Sequence, residues 1–402
     1  MRERRRASAR VRSSNPLFNA WIDRSQADLN LLTTDLASGP YPYAGIPWFS
    51  TPFGRDAVIT SLQMLWLQPG LARGVLRFLA EHQATEDSAF RDAAVGKIMH
   101  EMRRSEMAAT GEVPFALYYG GVDTTPLFIV LAGAYVARTG DTQLVDELWP
   151  ALERAAKWVA GVCDRNVYGL LDYQRASDGG LANQGWKDSH DSVFHADGRF
   201  PEGPIALVEV QAYASAAFDT MAQFSMLRGQ SDDAVRYTQR ATAIRACVED
   251  KYWMDDSNFY GIALDGKGDL CRVLASNAGH LLAFGLPSRE RGEAVARALD
   301  RRSSTRAGAC ARWRRASRAS TRWRITTARS GRMTTRSARA VSRDTARRRR
   351  PCVCCRRSSR RPSTSTCVCP SCSAASRAVA ANRPLRTLSR VCRRHGRPAR
   401  RS

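Results

Sequence analysis

The sequence predicts an all-α body whose helices pair into hairpins arranged as a toroid, and three observations predict it. Apolar residues recur at helical spacing in 57–68, 72–83, 126–138, 143–163, 205–228, 231–250 and 274–283, the pattern of helices with one buried face. Alternating β-type runs between these segments are few. The connections 38–56, 108–125 and 173–204 are long and rich in Gly, Pro, Trp and charged residues, a composition poor for linkers and good for the walls of a site. No repeat of fixed period is visible, which argues against a solenoid.

In chain order, residues 1–14 form a basic segment followed by no apolar stretch of signal-peptide length. The body, 15–300, opens with a loop that carries PYAGIPWFSTPFGRDA (42–57) and runs straight into the first two periodic segments. A second loop holds GKIMHEMRRSE, with Gly96, His100, Glu101 and Arg103, then YYGGVDTTPLF, with Tyr118, Tyr119 and Asp123, before the segments 126–138 and 143–163. The third loop contains NQGWKDSHDSVFHADGR (183–199) and precedes the pair 205–228 and 231–250. SNAGH lies within the last segment, 274–283. Nowhere do 18 apolar residues run together, so no membrane partner is expected.

Composition divides the chain near residue 301. Residues 1–300 carry 31 Lys and Arg against 37 Asp and Glu, a net charge of −6, whereas 301–402 hold 31 Arg, no Lys and one acidic residue, Asp344, a net charge of +30. Eight of the eleven cysteines fall in that second part; Cys163, Cys247 and Cys271 in the body have no paired spacing. Scattered cysteines without a disulfide framework fit a reducing compartment, and the body reads as cytoplasmic. It contains no serine nucleophile elbow, P-loop or dinucleotide fingerprint, so no cofactor is expected.

The densest chemistry is Trp186, Asp188, His190, Asp191 and His195. An indole face and adjacent carboxylates suit a carbohydrate, which stacks on the ring and hydrogen-bonds through its hydroxyls. The same residues also fit a solvated acidic loop anchored by Trp186. As metal ligands their spacing is weak, and no metal site is expected. In 42–57, Trp48, Phe49, Arg55 and Asp56 form either a helix cap with a surface pair or a fork that pins sugar hydroxyls.

Together, PWFSTPFGRDA, KIMHEMRRSE, YYGGVDTTPLF, NQGWKDSHDSVFHADGR and SNAGH, in this order from about Asn15 to Leu299, resemble the bacterial glycogen-debranching, amylo-α-1,6-glucosidase-type proteins. The resemblance implies an (α/α)6 barrel of the six-hairpin glycosidases and inverting hydrolysis of α-glucosidic bonds in an α-glucan or oligosaccharide. In that chemistry a carboxylic acid and a water-activating carboxylate lie roughly 6.5–9.5 Å apart. The family's Trp-x-Asp element falls on Trp186, Lys187 and Asp188, which makes Asp188 the expected general acid. Its pKa would have to be raised by burial or by Asp191. Trp48, Arg55, Asp56, Glu101, Asp123, Trp186 and Asp191 are the expected sugar contacts. The family's β-rich domain before the barrel is absent from this sequence.

The family also implies a later YHNGSVWPHDN stretch and an LPEL stretch whose Glu is the general base. Neither occurs, but a shift of one nucleotide recovers both. Ile325–Thr335 (ITTARSGRMTT) can be encoded so that the neighbouring frame reads YHNGSVWPHDN, and Cys369–Arg377 (CPSCSAASR) so that it reads LPELFCGFP. Ser303–Trp313 yields LFDAGWGLRTV in the same way. The expectation is therefore an incomplete barrel, 15–300, followed by an out-of-frame tail, 301–402, with activity impaired by loss of the base. The alternative products are a non-catalytic glucan binder and, less favoured, a tail that binds nucleic acid through its arginines or zinc through Cys369 and Cys372.

Overall fold

The computed structural model describes Ala9 and residues 11–304. The readings of the tail as out of frame, nucleic-acid-binding or zinc-binding fall on 305–402 and lie outside the described residues.

Asn15 starts helix α1 (Pro16–Leu32): its side-chain oxygen accepts from the backbone of Leu17 and Phe18, and Pro16 occupies the first turn. Sequence periodicity did not announce this helix. Leu17, Phe18, Trp21 and Leu31 are exposed and only Asn30 is buried, so no apolar stripe marks a packed face. A hairpin of β1 (Thr33–Leu36) and β2 (Gly39–Pro42) follows, with Thr33 opposite Pro42.

The remaining long helices form four hairpins. They are α2 (Gly54–Met64) with α3 (Pro69–Glu81), then, after the short α4 (Glu106–Ala109), α5 (Thr124–Thr139) with α6 (Gln143–Arg165). Next come α7 (Val208–Leu227) with α8 (Ser231–Lys251) and α9 (Ala278–Ala283) with α10 (Arg289–Ser304). The first members pack in succession, α2 on α5, α5 on α7 and α7 on α9, each with its hairpin partner beside it. This is the inner and outer layering of an (α/α)6-type glycosidase fold, with four hairpins among the described residues.

The two layers differ in sequence. On α7, Val208–Ser215 are all buried, as are Phe218, Met221 and Phe224. On α8 the buried residues are Ala234, Ala241, Ile244 and Val248, a single stripe at helical spacing. Short strands close the loops: β3 (Ala206–Leu207), β6 (Ala263–Leu264) and β7 (Leu270–Cys271) form one antiparallel sheet, and β4 (Trp253–Met254) pairs with β5 (Phe259–Tyr260). Among the described residues no helix is long and apolar enough to cross a membrane.

Candidate active site

The inner helices begin at a common end, and their first residues meet there. Gly54 opens α2 and donates its N–H to His100 O at 2.8 Å. A Cβ at this position would lie 2.2 Å from Met99 O and 2.6 Å from Thr124 Cγ2, so only glycine lets α2 approach both the 99–101 segment and the start of α5. Arg55 follows. Its guanidinium donates to Asp123 Oδ2 at 3.2 Å, to Gly185 O at 2.8 Å and to Asp188 Oδ2 at 3.4 Å.

Asp123, at the N-cap of α5, is fully buried, where anions are favoured by the helix dipole. Burial raises its pKa, opposed by Arg55, which supplies both charge and a hydrogen bond. Burial works to lower the pKa of Arg55, but Asp123, Asp56 and Asp188 outweigh it and hold the guanidinium charged.

Backbone pairing draws the remaining motifs to the same place. Glu101 bridges to Phe53 on one side and Tyr118 on the other, and Val122 donates to Gln184 O at 2.9 Å. The Glu101 carboxylate is buried against Arg103; burial raises its pKa and the Arg103 hydrogen bond opposes this. Lys187 donates to Asn277 Oδ1 at 2.8 Å, which ties the WKD element to SNAGH. Five motifs separated in sequence therefore converge at one end of the inner helices.

Of the expected site residues, Arg55, Asp123 and Asp188 are in direct contact. Asp56, in the first turn of α2, is close enough to act electrostatically on Arg55, and Asp188 on Glu101. Trp186 packs 5.3 Å from the His280 ring, with the Lys187 ammonium 5.0 Å from its ring centroid, so protein groups already lie against this indole. Asp191 is half-buried in the turn after Asp188. Trp48 is 75% exposed and lines a cavity of about 340 Å³ with Tyr43, Thr51, Phe78, Arg103 and Arg104.

Asp188 is only partly enclosed: 44% of its side chain is exposed, and its ion-pair partner is Arg55.

The family model for the mannosylglycerate hydrolase MGH1-like glycoside hydrolase domain matches residues 53–312. The chain belongs to this family. It is a glycoside hydrolase domain of the mannosylglycerate hydrolase MGH1-like type. No curated protein matches.

Among solved structures, the GH78 family rhamnosidase of Bacillus sp. GL1 aligns with a TM-score of 0.55 at 13% identity, over 85% of this chain and 30% of that one. A rhamnosidase from Klebsiella oxytoca gives 0.51 at 14%, over 73% and 49%. The GH63 mannosylglycerate hydrolase from Thermus thermophilus gives 0.50 at 11%, over 70% and 76%. The chain thus spans less than half the length of both rhamnosidases, and at these identities the likeness is one of fold.

Sequence reading did not single out Glu209, Lys187 or Asn277 as site residues. Glu209 is a lone carboxylate in the apolar run PIALVEVQAYA, which is the signal that could have marked it. It is 1% exposed, and its Oε1 accepts from Asn277 Nδ2 at 2.8 Å. Tyr213 lies close enough to feel its charge, and the Tyr213 hydroxyl is 2.6 Å from His280 Nδ1. Burial lowers the His280 pKa to about 4, helped by the Lys187 charge.

Proposed function

We propose that this glycosidase domain is of the inverting, α-glycoside-cleaving type, with Asp188 as general acid and an α-glucan or oligosaccharide of the debranching class as substrate. The convergence of the five motifs at the start of the inner helices carries the reading. Arg55 is fixed by a fully buried Asp123 on one side and presents its other edge to Asp188. A sugar ring seated there would meet Arg55 and Asp56, with the buried Asp123 and Glu101 holding Arg55 and Arg103 in place behind it, and would cover the exposed part of Asp188. Trp48, Trp186 and Asp191 complete the proposed contacts. An acid that becomes enclosed only with substrate needs no burial in the free protein, which fits the 44% exposure.

The proposed base is the glutamate of the LPEL stretch recovered by the frame shift, and its loss from the encoded chain would impair turnover. Resequencing the coding DNA across codons 290–340 tests this part. A changed base count restoring YHNGSVWPHDN and LPEL supplies the missing base to the barrel; confirmation of the present frame leaves a glucan binder with little or no turnover.

One observation favours a second substrate class. The cavity beside Trp48 carries Arg103 and Arg104, a setting for a small glycoside with an anionic aglycone, as mannosylglycerate is for the Thermus relative. Hydrolysis of maltose, limit dextrin and α-mannosylglycerate by the frame-restored chain, with and without Asp188→Asn, decides among these. Loss of general acid assistance lowers kcat by about 10²–10⁴-fold with little change in KM. Equal and measurable rates for the variant and the parent would remove Asp188 from the role.

A further inference from the structure

Trp186, Lys187 and Asp188 are consecutive, yet their side chains are held by different helices. Asp188 meets Arg55 of α2, whereas Lys187 turns to the beginnings of α7 and α9. There Asn277, the N-cap of α9, stands between two charged groups: its Oδ1 accepts from Lys187 Nζ at 2.8 Å and its Nδ2 donates to Glu209 Oε1 at 2.8 Å. An ammonium can only donate and a carboxylate can only accept, so the amide has one orientation that satisfies both. The Lys187 carbonyl is also pinned, accepting from Ser192 Oγ at 2.5 Å. Glu209 Oε2 is buried without a hydrogen-bond partner.

We propose that Glu209 is a positioning residue for Asp188: through Asn277 it holds the Lys187 ammonium at the start of α7 and so fixes the turn that aims Asp188 at Arg55. Glu209 hydrogen-bonds neither Asp188 nor Arg55 and acts through its neighbours. Its kinetic consequence rests on the reading of Asp188 as the acid; the coupling of Glu209 to the turn does not.

Charge state follows from the same burial. Burial raises the Glu209 pKa, opposed by the Asn277 hydrogen bond and by Lys187. Burial likewise lowers the Lys187 pKa, opposed by Glu209. The state with both groups charged therefore spans a narrower range around neutral pH than free Glu and Lys would give. The other titratable groups facing Glu209 electrostatically are Asp123, Tyr173, Tyr213 and Tyr252, and His280 faces Lys187. The three tyrosines are raised by burial and stay neutral across that range.

Two variants of the full chain test the proposal, Glu209→Gln, which keeps the shape and removes the charge, and Asn277→Ala, which cuts the link. Pulse acetylation with acetic anhydride across pH, read by mass spectrometry at Lys187, is expected to show its titration midpoint at least one pH unit lower in Glu209→Gln. Crystal structures of both variants are expected to show the Asp188 carboxylate displaced from Arg55. Where the parent turns over an unactivated disaccharide, whose leaving alcohol needs the acid's proton, kcat is expected to fall at least tenfold with KM changed less than twofold, and Glu209→Asp to recover part of it. An unmoved Lys187 midpoint, or an Asp188–Arg55 contact retained in both variants, overturns the proposal. A moved midpoint with a displaced Asp188 and unchanged turnover upholds the positioning and instead removes Asp188 as the acid.

Discussion

The inner and outer helices of this fold use the same residue types for opposite ends. In the outer layer, arginines pair with carboxylates across exposed seams: Arg240 of α8 grips Asp164 of α6 through two bonds of 2.7 and 3.0 Å, and Arg77 of α3 grips Glu147 of α6 at 2.6 and 2.7 Å. At the inner end, Arg55 is 12% exposed and Asp123 is fully buried. Exposed pairs decorate a helix whose stability comes from its apolar stripe, whereas the inner pair is enclosed by the helix starts themselves. What separates a site from a surface here is the burial of the charges, since the residue types are shared.

The largest expected contrast is between Arg55→Ala and Arg240→Ala. Removing Arg55 leaves a fully buried Asp123 carboxyl without its counter-charge, a loss of about 3–5 kcal/mol. Removing Arg240 leaves Asp164 to water and costs roughly 0–1 kcal/mol. Urea unfolding of both variants measures the difference; equal losses would mean that the inner cluster is no better enclosed than the outer seams.

Next in size is an acid sensitivity of the inner end. His280 has a folded pKa of about 4, below its ordinary value of 6.5, so the unfolded chain takes up the proton first. Stability from this group is full above about 6.5 and falls as pH drops toward 4, by up to ~3 kcal/mol. Asp123 and Glu101, raised by burial, act with the opposite sign. The readout is therefore the difference in pH slope between the parent and His280→Asn, with the variant expected to lose less stability on acidification.

The smallest effect concerns the backbone. Gly54→Ala drives a Cβ into Met99 O and Thr124 and is expected to cost about 1–3 kcal/mol through a forced shift of α2. At the outer turn, Gly140 has φ of 75° and open space around it, so Gly140→Ala costs only the left-handed conformation, about 1–2 kcal/mol. The two separate on catalysis more than on stability, since only the first displaces Arg55.

Much of this fold was legible. The seven periodic segments became α2, α3, α5, α6, α7, α8 and α9, because each carries apolar residues at helical spacing, whether it buries one stripe, as α8 does, or most of its first turns, as α7 does. α1 escaped because its large apolar side chains face outward, and α10 (Arg289–Ser304) because its sequence is dominated by charged residues. Within the site, Arg55, Asp123 and Asp188 stood out by composition, Arg55 and Asp123 at helix starts and Asp188 in the middle of a polar loop. Glu209 did not, since a single carboxylate inside VEVQAYA shows its partners only once α9 brings Asn277 against it. Trp48 and Trp186 look alike in sequence, yet one is open to solvent and the other is covered by Lys187 and His280.

A crystal of the full chain soaked in glucose tests the central claim without requiring turnover. A sugar ring hydrogen-bonded to Arg55 and Asp188 at the start of the inner helices is the predicted result. Glucose bound elsewhere, with the Arg55–Asp188 contact untouched, would contradict it.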